Sequence, residues 1–499
     1  MKHFLMKTRF LSTASRHAHP LAALTVLLTA GVAQGQTPAS FAAASTYSVG
    51  AGSRPRSLAV ADVNGDGRPD LVTANYGNST AGVLLGQAGG GFAAASAYPI
   101  GANSYPQGIA VADVNGDGRP DIVTANNNNS GTVGVLLGLA GGGFSPVSNY
   151  PTGGVYAISI AVADVNGDGR LDLITANNGD NTIGVLLGQA GGGFSPGITY
   201  PTGAVNIPQG IAVRDVNGDG RPDLVTANFA SSAGVLLQQA GGGFAAINAY
   251  STGVNSTPVG SNSGPGSIAV TDVNGDGRLD LITANYYSNA AGVLLGQVGG
   301  GFAAASTYPT GANSYPLGIT VGDVNGDGRP DLVTANDGNG TAGVLLGQAG
   351  GVFGAASAYS TGSSRGPEDI AVADLNGDGR LDLVTANAGS NTVSVLLNTG
   401  TFTPLAATPA ATPATSATDV VLFPNPAHTG FAVQLPVAWG TAPVRSELRN
   451  ALGQVVATRT ATLSGGDLLT VATDALAPGV YVLRVQAGAN TLNKRVLFD

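Results

Sequence analysis

The chain has 499 residues, with 30 Asp and Glu against 21 Lys and Arg, 77 Gly and no Cys. The absence of Cys excludes disulfides, thiolate metal sites and cysteine nucleophiles, and the acidic balance argues against nucleic acid as a partner, which needs a basic face. A hydrophobic content of 43%, only 10% charged residues and no Gly-X-Y period exclude a disordered polyelectrolyte, a coiled coil and collagen.

Residues 1–36 read as a secretory signal peptide. Lys2, Lys7, Arg9 and Arg16 form a positive start, Leu21 to Val32 is an apolar run, and Ala33-Gln34-Gly35 is a small-x-small cleavage site. A membrane anchor is the alternative. Those twelve residues, at about 1.5 Å each, reach about 18 Å and fall short of a hydrocarbon core of about 30 Å. No other stretch is long and apolar enough for a transmembrane segment, so none is expected.

From residue 37 to 402 one unit recurs. Asp-x-Asn-Gly-Asp-Gly-Arg-x-Asp starts at Asp62, Asp113, Asp164, Asp215, Asp272, Asp323 and Asp374, with steps of 51, 51, 51, 57, 51 and 51 residues. Each copy has an apolar stretch before the loop, such as Ile109-Ala110-Val111-Ala112, and Asp-Leu-Val-Thr-Ala-Asn or a variant at its end. Gly-Val-Leu-Leu and then a Phe-led segment follow. Four short β-type segments per copy, seven times over, predict a seven-bladed β-propeller. An open solenoid is the other reading, and seven is a common number for ring closure. Phe-led segments occur eight times, at Phe41, Phe92, Phe144, Phe194, Phe244, Phe302, Phe353 and Phe402. The spacing therefore predicts that Phe41 to Val49 pairs with the last blade and closes the ring, while Phe402 begins the exit.

The repeated loop carries hard oxygen donors. The first copy offers Asp62, Asn64, Asp66, the Arg68 carbonyl and Asp70 at positions one, three, five, seven and nine. In register stand Asp113, Asn115, Asp117, Arg119 and Asp121; Asp164, Asn166, Asp168, Arg170 and Asp172; and Asp215, Asn217, Asp219, Arg221 and Asp223. The last three copies give Asp272, Asn274, Asp276, Arg278 and Asp280; Asp323, Asn325, Asp327, Arg329 and Asp331; and Asp374, Asn376, Asp378, Arg380 and Asp382. Ca²⁺ takes six to eight oxygens from a flexible loop, and Gly at position six permits the sharp turn. An EF-hand needs an acid at position twelve, where this chain has Thr, as at Thr73, so a strand rather than a helix is expected to follow. Turn chemistry alone explains Asn and Gly but not three Asp per loop. From 39 to 402 there are 25 acids against 11 Arg, a net of −14 that up to seven structural Ca²⁺ would neutralise.

These residues resemble FG-GAP/VCBS repeats, the family that builds the integrin α-subunit propeller. The resemblance implies Ca²⁺ in the hairpin between the first and second strands of each blade, on the lower face. The loops between strands two and three, and four and one, then lie on the upper face.

Those upper loops differ most between copies, and function lives on variable loops over a rigid scaffold. Candidate ligand-binding residues there are Tyr105, Tyr156, Tyr286, Tyr287, Tyr315, Arg365, Glu368 and Asp369. Between residues 39 and 402 there is no His, no Lys and a single Glu, Glu368, which is poor equipment for general acid/base catalysis. The expected role is a non-catalytic binding or adhesion module for an extracellular glycan or protein. A polysaccharide lyase or hydrolase and a structural matrix spacer are the alternatives.

Residues 403–418 form a Pro/Ala/Thr linker, a semi-rigid spacer. Residues 419–499 read as about seven short strands, from Val420–Phe423 to Lys494–Phe498, and predict a small Ig-like β-sandwich. Phe423-Pro424-Asn425-Pro426, Leu452-Gly453-Gln454, Gly479 to Arg484 and Lys494-Arg495-Val496 resemble the C-terminal sorting domain of type IX secretion. That resemblance implies handling by the secretion machinery and a secreted or cell-surface location. The fold class expected is all-β, a seven-bladed propeller followed by a sandwich, in a monomer.

Overall fold

The computed structural model describes residues 38–203, 206–253, 265–363 and 366–401, and seven strands between 421 and 498. The expected signal peptide, Val254 to Gly264, Arg365, Phe402 and the expected linker lie outside them. The chain divides into two compact units, residues 1–402 and 403–499. Among the described residues there is no helix, and so none long and apolar enough to cross a membrane.

The first unit is seven four-stranded antiparallel sheets, the blades. In blade 1 the strands are Pro55–Ala61, Asp70–Asn75, Thr80–Leu84 and Ser96–Pro99. Blades 2 to 6 repeat this order. Blade 7 takes Pro367–Ala373, Asp382–Asn387 and Thr392–Leu396 from the end of the repeat region, and its outer strand, Ser45–Ser48, from the beginning. Ser45 pairs with Val395 and Ser48 with Thr392, and Phe41 bridges Asn398, so the ring closes where the sequence predicts.

Strand two is buried along its whole length in every blade. Its side chains alternate between two interfaces. Leu71 packs with Val384 and Val395 of blade 7, while Val72 packs with Ile109, Ile122 and Leu136 of blade 2. The core is accordingly seven clusters, one between each pair of neighbouring blades.

The Phe-led segments differ from expectation. Phe92 pairs only in the short ladder Gly86–Gln87 with Gly91–Phe92, and the outer strand begins at Ser96. The reason is packing, since the Phe, buried in five blades and partly buried at Phe41 and Phe244, meets the outer-strand Tyr of the preceding blade edge-on. The pairs are Tyr47–Phe92, Tyr98–Phe144, Tyr150–Phe194, Tyr200–Phe244, Tyr250–Phe302, Tyr308–Phe353 and Tyr359–Phe41. Their centroids lie 4.9–5.5 Å apart and their planes are 77–88° from parallel. Such pairs contribute about 0.5–1.5 kcal/mol each beyond area burial. The seventh pair joins the N-terminal segment to blade 6, so the seam is held as every other interface is.

The second unit has a three-stranded sheet of Val421–Phe423, Gly430–Gln434 and Leu468–Ala472. A four-stranded sheet comprises Val455–Leu463, Ala442–Arg449, Gly479–Ala487 and Asn490–Phe498. The motif at Gly479 to Arg484 lies in the strand paired with the last one, with Tyr481 opposite Val496.

Candidate functional site

On the lower face each acidic loop is folded around its own carboxylates. Asp62 accepts N–H bonds from Gly65, Asp66 and Gly67 at 2.7, 3.1 and 2.7 Å. This wrap needs left-handed backbone at loop positions four and six, where Gly65 and Gly67 have φ of 75° and 82°. Asn64 Oδ1 accepts the Asp66 N–H at 2.9 Å, and Asp66 accepts the Arg68 N–H at 2.9 Å and the Asn64 amide at 3.0 Å. Desolvation is the largest single influence and raises the Asp66 carboxyl, but these bonds and the Arg68 charge together outweigh it and hold the group below its ordinary value.

Position nine has a structural task as well. Asp70 is fully buried, and its two oxygens accept the Val63 N–H at 2.9 Å and the Gly86 N–H at 2.7 Å. It clips the strand one–two hairpin to the chain leaving strand three. Asp121, Asp172, Asp223, Asp280, Asp331 and Asp382 repeat both bonds at 2.7–3.0 Å. Burial raises the Asp70 carboxyl, its two N–H bonds oppose this, and the charges of Asp66 and Asp62 raise it further. At Asp331 the same balance reaches about 7.

Sequence reasoning used only the backbone of the position-seven Arg. In the structure the side chain is engaged. Arg68 Nε donates to the Gly86 carbonyl at 2.9 Å while Nη2 pairs with Asp66. The equivalent Arg119, Arg170, Arg221, Arg278, Arg329 and Arg380 do the same. The available signal was an Arg side chain retained in all seven copies at a position whose metal role needs only a carbonyl.

A second feature without a signal in any single repeat is the glycine turn after strand three, which lies over the preceding blade's loop. A Cβ on Gly192 would stand 2.8 Å from Asn115, and one on Gly300 2.8 Å from Asn217. Gly351 and Gly90 meet Asn274 and Asn376 at 3.0 and 3.1 Å in the same way.

Among the described residues no three His, Cys, Asp or Glu side chains are gathered as a metal cage. The donor set still fits a hard cation. Each loop offers Asp, Asn and Asp oxygens at positions one, three and five, and the charges at positions one and five raise the position-nine carboxyl through like-charge repulsion.

The upper face is built from three rings of equivalent positions around the channel mouth, which holds a cavity of about 240 Å³. The lip is the residue before strand one: Arg54, Tyr105, Tyr156, Ile207, Tyr315 and Gly366 in the blades where it is described. All have positive φ, 44–56° for the five non-Gly residues and 100° for Gly366. Bulky side chains in this region cost energy, most of all a β-branched one such as Ile207. The second ring is the residue after strand two: Tyr76, Asn127, Asn178, Phe229, Tyr286, Asp337 and Ala388. Backbone bonds tie the two rings together, as from Asn127 N–H to the Tyr105 carbonyl at 3.0 Å and from Asn178 N–H to that of Tyr156 at 3.0 Å. The throat is the second residue of strand one, with Arg56 from blade 1 and Glu368 from blade 7 facing Gln107, Ile158, Gln209, Gly266 and Leu317.

The structure brings Tyr286, Tyr287 and Tyr315 together with ring centroids 4.7–6.3 Å apart. Phe229 stands 6.4 Å from Tyr287, which is 51% exposed. The Tyr286 hydroxyl donates to Asp337 at 3.2 Å, and burial together with the Asp337 charge pushes it up to about 12. Tyr105 instead pairs with Tyr76 at 5.3 Å, and the Arg56 guanidinium lies 4.9 Å from the Tyr76 centroid. Tyr156 stands apart on blade 3.

Glu368 and Asp369 belong to the seam between blades 7 and 1. Glu368 pairs with Arg56 at 2.6 Å, and Asp369 accepts the Ser57 hydroxyl at 2.8 Å and the Leu58 N–H at 3.0 Å. Burial is the largest influence on Glu368 and pushes it up to about 7 against the Arg56 charge. Asp369 is likewise raised by burial, opposed by the three donors that hold it. It is a half-buried clasp at the seam that also lines the channel-mouth cavity.

The FG-GAP-like repeat profile matches eight overlapping segments, from residues 29–73 to 374–423, and the secretion system C-terminal sorting domain profile matches 421–499. No curated protein matches the chain. Among solved structures, a lectin from Agrocybe aegerita that recognises non-reducing terminal N-acetylglucosamine is 20% identical, with a TM-score of 0.43 over 66% of this chain and 85% of that one. A candidate 6-phosphogluconolactonase from Bacteroides uniformis is 16% identical, with a TM-score of 0.46 over 67% and 92%. BBS1N in complex with ARL6DN gives 13% and a TM-score of 0.49 over 72% and 96%. At these values the likenesses carry no argument about what this chain binds. The repeats, their seven blades and the C-terminal profile together identify the chain as a secreted or cell-surface member of the FG-GAP-like repeat family that ends in a secretion sorting domain.

Proposed function

We propose that the propeller is a calcium-stabilised, non-catalytic binding or adhesion module that takes an extracellular glycan or protein on its upper face. One observation carries this reading. The lower loops make the same contacts in every blade, whereas the upper rings change residue from blade to blade over an identical scaffold. Bulky side chains are held there in left-handed backbone at a conformational cost, and they pack on the second ring, as Tyr105 does on Tyr76 and Tyr315 on Tyr286.

Calcium would be held by Asp62, Asn64, Asp66, the Arg68 carbonyl and Asp70, and by the equivalents in the other loops. When bound it supplies positive charge among three like-charged carboxylates. The chain's own residues do the rest: Asp70 fixes the hairpin, Arg68 ties it to the Gly86 carbonyl, and the neighbour's glycine turn packs over it.

An array of glycans and matrix proteins, probed with and without Ca²⁺ while products are monitored, tests the reading. Saturable binding without turnover is expected. Cleavage of a polysaccharide would make the chain an enzyme, and uniform failure to bind would make it a matrix spacer.

A further inference from the structure

The upper rings are interrupted at blade 7. Where the other blades with described rings present Arg, Tyr, Ile, Phe, Asn or Asp, blade 7 has Gly366 on the lip and Ala388 in the second ring. The missing side chains leave a notch of about 450 Å³ between blades 6 and 1. Pockets for small ligands start at about 300 Å³. Glu368 forms the floor, and Arg54 and Asp337 are walls supplied by the neighbouring blades. Asn391 lines the notch too, and its side-chain oxygen accepts the Arg54 N–H at 2.9 Å, fixing the residue from which the guanidinium extends.

The chemistry of the walls limits the occupant. Arg54 is matched by Asp337 across the notch, and Glu368 is paired with Arg56, which is not itself a wall, so the local field favours neither a polyanion nor a polycation. Glu368 Oε2 is engaged by Arg56, and Asp337 Oδ2 by Tyr286. Each carboxylate therefore keeps a second oxygen able to accept from a hydroxyl, and the Arg54 guanidinium can donate to one. Tyr286 holds Asp337 through its hydroxyl and Tyr76 lies against Arg56, so both rings stand one residue back from the notch. A partner that donates and accepts at many points and carries no net charge is a neutral sugar ring.

We propose that the blade 7 notch is the subsite for a terminal residue of a neutral glycan. This rests on the binding-module reading and names the ligand class and the place.

The test uses the mature full chain with calcium on an array of neutral gluco-, manno- and xylo-oligosaccharides, oligouronates, sulfated oligosaccharides and basic peptides. Two variants accompany it. Asp337→Asn keeps the shape of the wall, and Arg54→Gly keeps the left-handed backbone, with melting curves confirming folding. Neutral oligosaccharides are expected to bind, and each variant to weaken them about tenfold or more. Neutral-sugar binding unchanged in both variants overturns the location but leaves the module reading standing. Preference for uronates, sulfated sugars or peptides overturns the ligand class alone. No binding to any probe, or turnover of a sugar, overturns both.

Discussion

On the lower face, position nine of the loop is Asp in all seven blades and makes the same two backbone bonds each time. On the upper face, the residue after strand two runs Tyr, Asn, Asn, Phe, Tyr, Asp, Ala around the ring. Both positions lie at the ends of the same buried strand. Where a side chain satisfies backbone donors that the fold buries, few residue types succeed, and the repeat stays uniform. Where the backbone is satisfied by itself, as between Asn127 and Tyr105, the side chain is released from that duty and blades diverge. Uniformity marks the scaffold, and divergence marks the surface available for recognition.

The largest test of the scaffold removes its closure. Deleting residues 37–50 takes away the outer strand of blade 7 and the Phe41–Tyr359 pair. Calorimetry should show a loss of more than about 5 kcal/mol or a broad, non-cooperative transition. A melting temperature equal to that of the intact chain would refute closure. Next comes metal. With Kd values of about 10⁻⁴–10⁻³ M and millimolar calcium, each occupied loop adds about 0.4–1.4 kcal/mol, so chelation should lower the melting temperature and Ca²⁺ should restore it. Indifference to EDTA would leave Asp70 and Arg68 as the only lower-face clasps.

Third in size is Asp121→Ala, which leaves the Val114 and Gly138 N–H groups buried without acceptors. Urea unfolding should report a loss of about 2–4 kcal/mol, and the same substitution in another blade should cost a similar amount. A cost confined to calcium-containing buffer would mean that metal ligation, rather than the two backbone bonds, is the main task of the residue.

Seam charge ranks fourth. Glu368 is raised from about 4.5 to about 7, so the folded state holds a proton that the unfolded chain releases. Stability from this group is therefore fully present below about pH 4.5, falls as pH rises to about 7 and then levels off, a change of at most about 3 kcal/mol. Glu368→Gln should flatten that stretch of the profile. An unchanged slope would assign it to other carboxylates, Asp331 first among them.

How far the sequence led follows from the range of each interaction. The period and the acidic loop were legible because each is a local pattern repeated seven times, and the ring closure because one Phe-led segment is left over. Position-nine burial was not, because Asp70 reaches sixteen residues ahead to Gly86. The Tyr–Phe ladder and the glycine turn over Asn115 join different blades, and the Phe alone was mistaken for a strand start. On the upper face, Tyr286, Tyr287 and Tyr315 were found by residue type. Arg54, Tyr76 and Phe229 were overlooked because their significance lies in register, one per blade at equivalent positions. Asp369 stands out in the sequence as a charge in a variable loop, and it does line the channel mouth, but its bonds to Ser57 and Leu58, more than 300 residues away in the chain, leave no local signal.

The smallest expected change in stability is the sharpest test of the difference between the faces. Tyr156 sits on the lip with φ of 56° and is 39% exposed. Gly occupies the equivalent position in blade 7, as Gly366, with φ of 100°. Tyr156→Gly therefore removes left-handed strain of about 1 kcal/mol while losing a partly exposed ring, and the two should nearly cancel, to within about 0.5 kcal/mol of wild type. Chemical denaturation measures the balance. A loss above about 2 kcal/mol would show that the lip residues support the fold as the lower-face Asp residues do. Near-neutral stability would mean that the scaffold tolerates a strained Tyr it does not need, as expected of a residue kept for what it presents to a ligand.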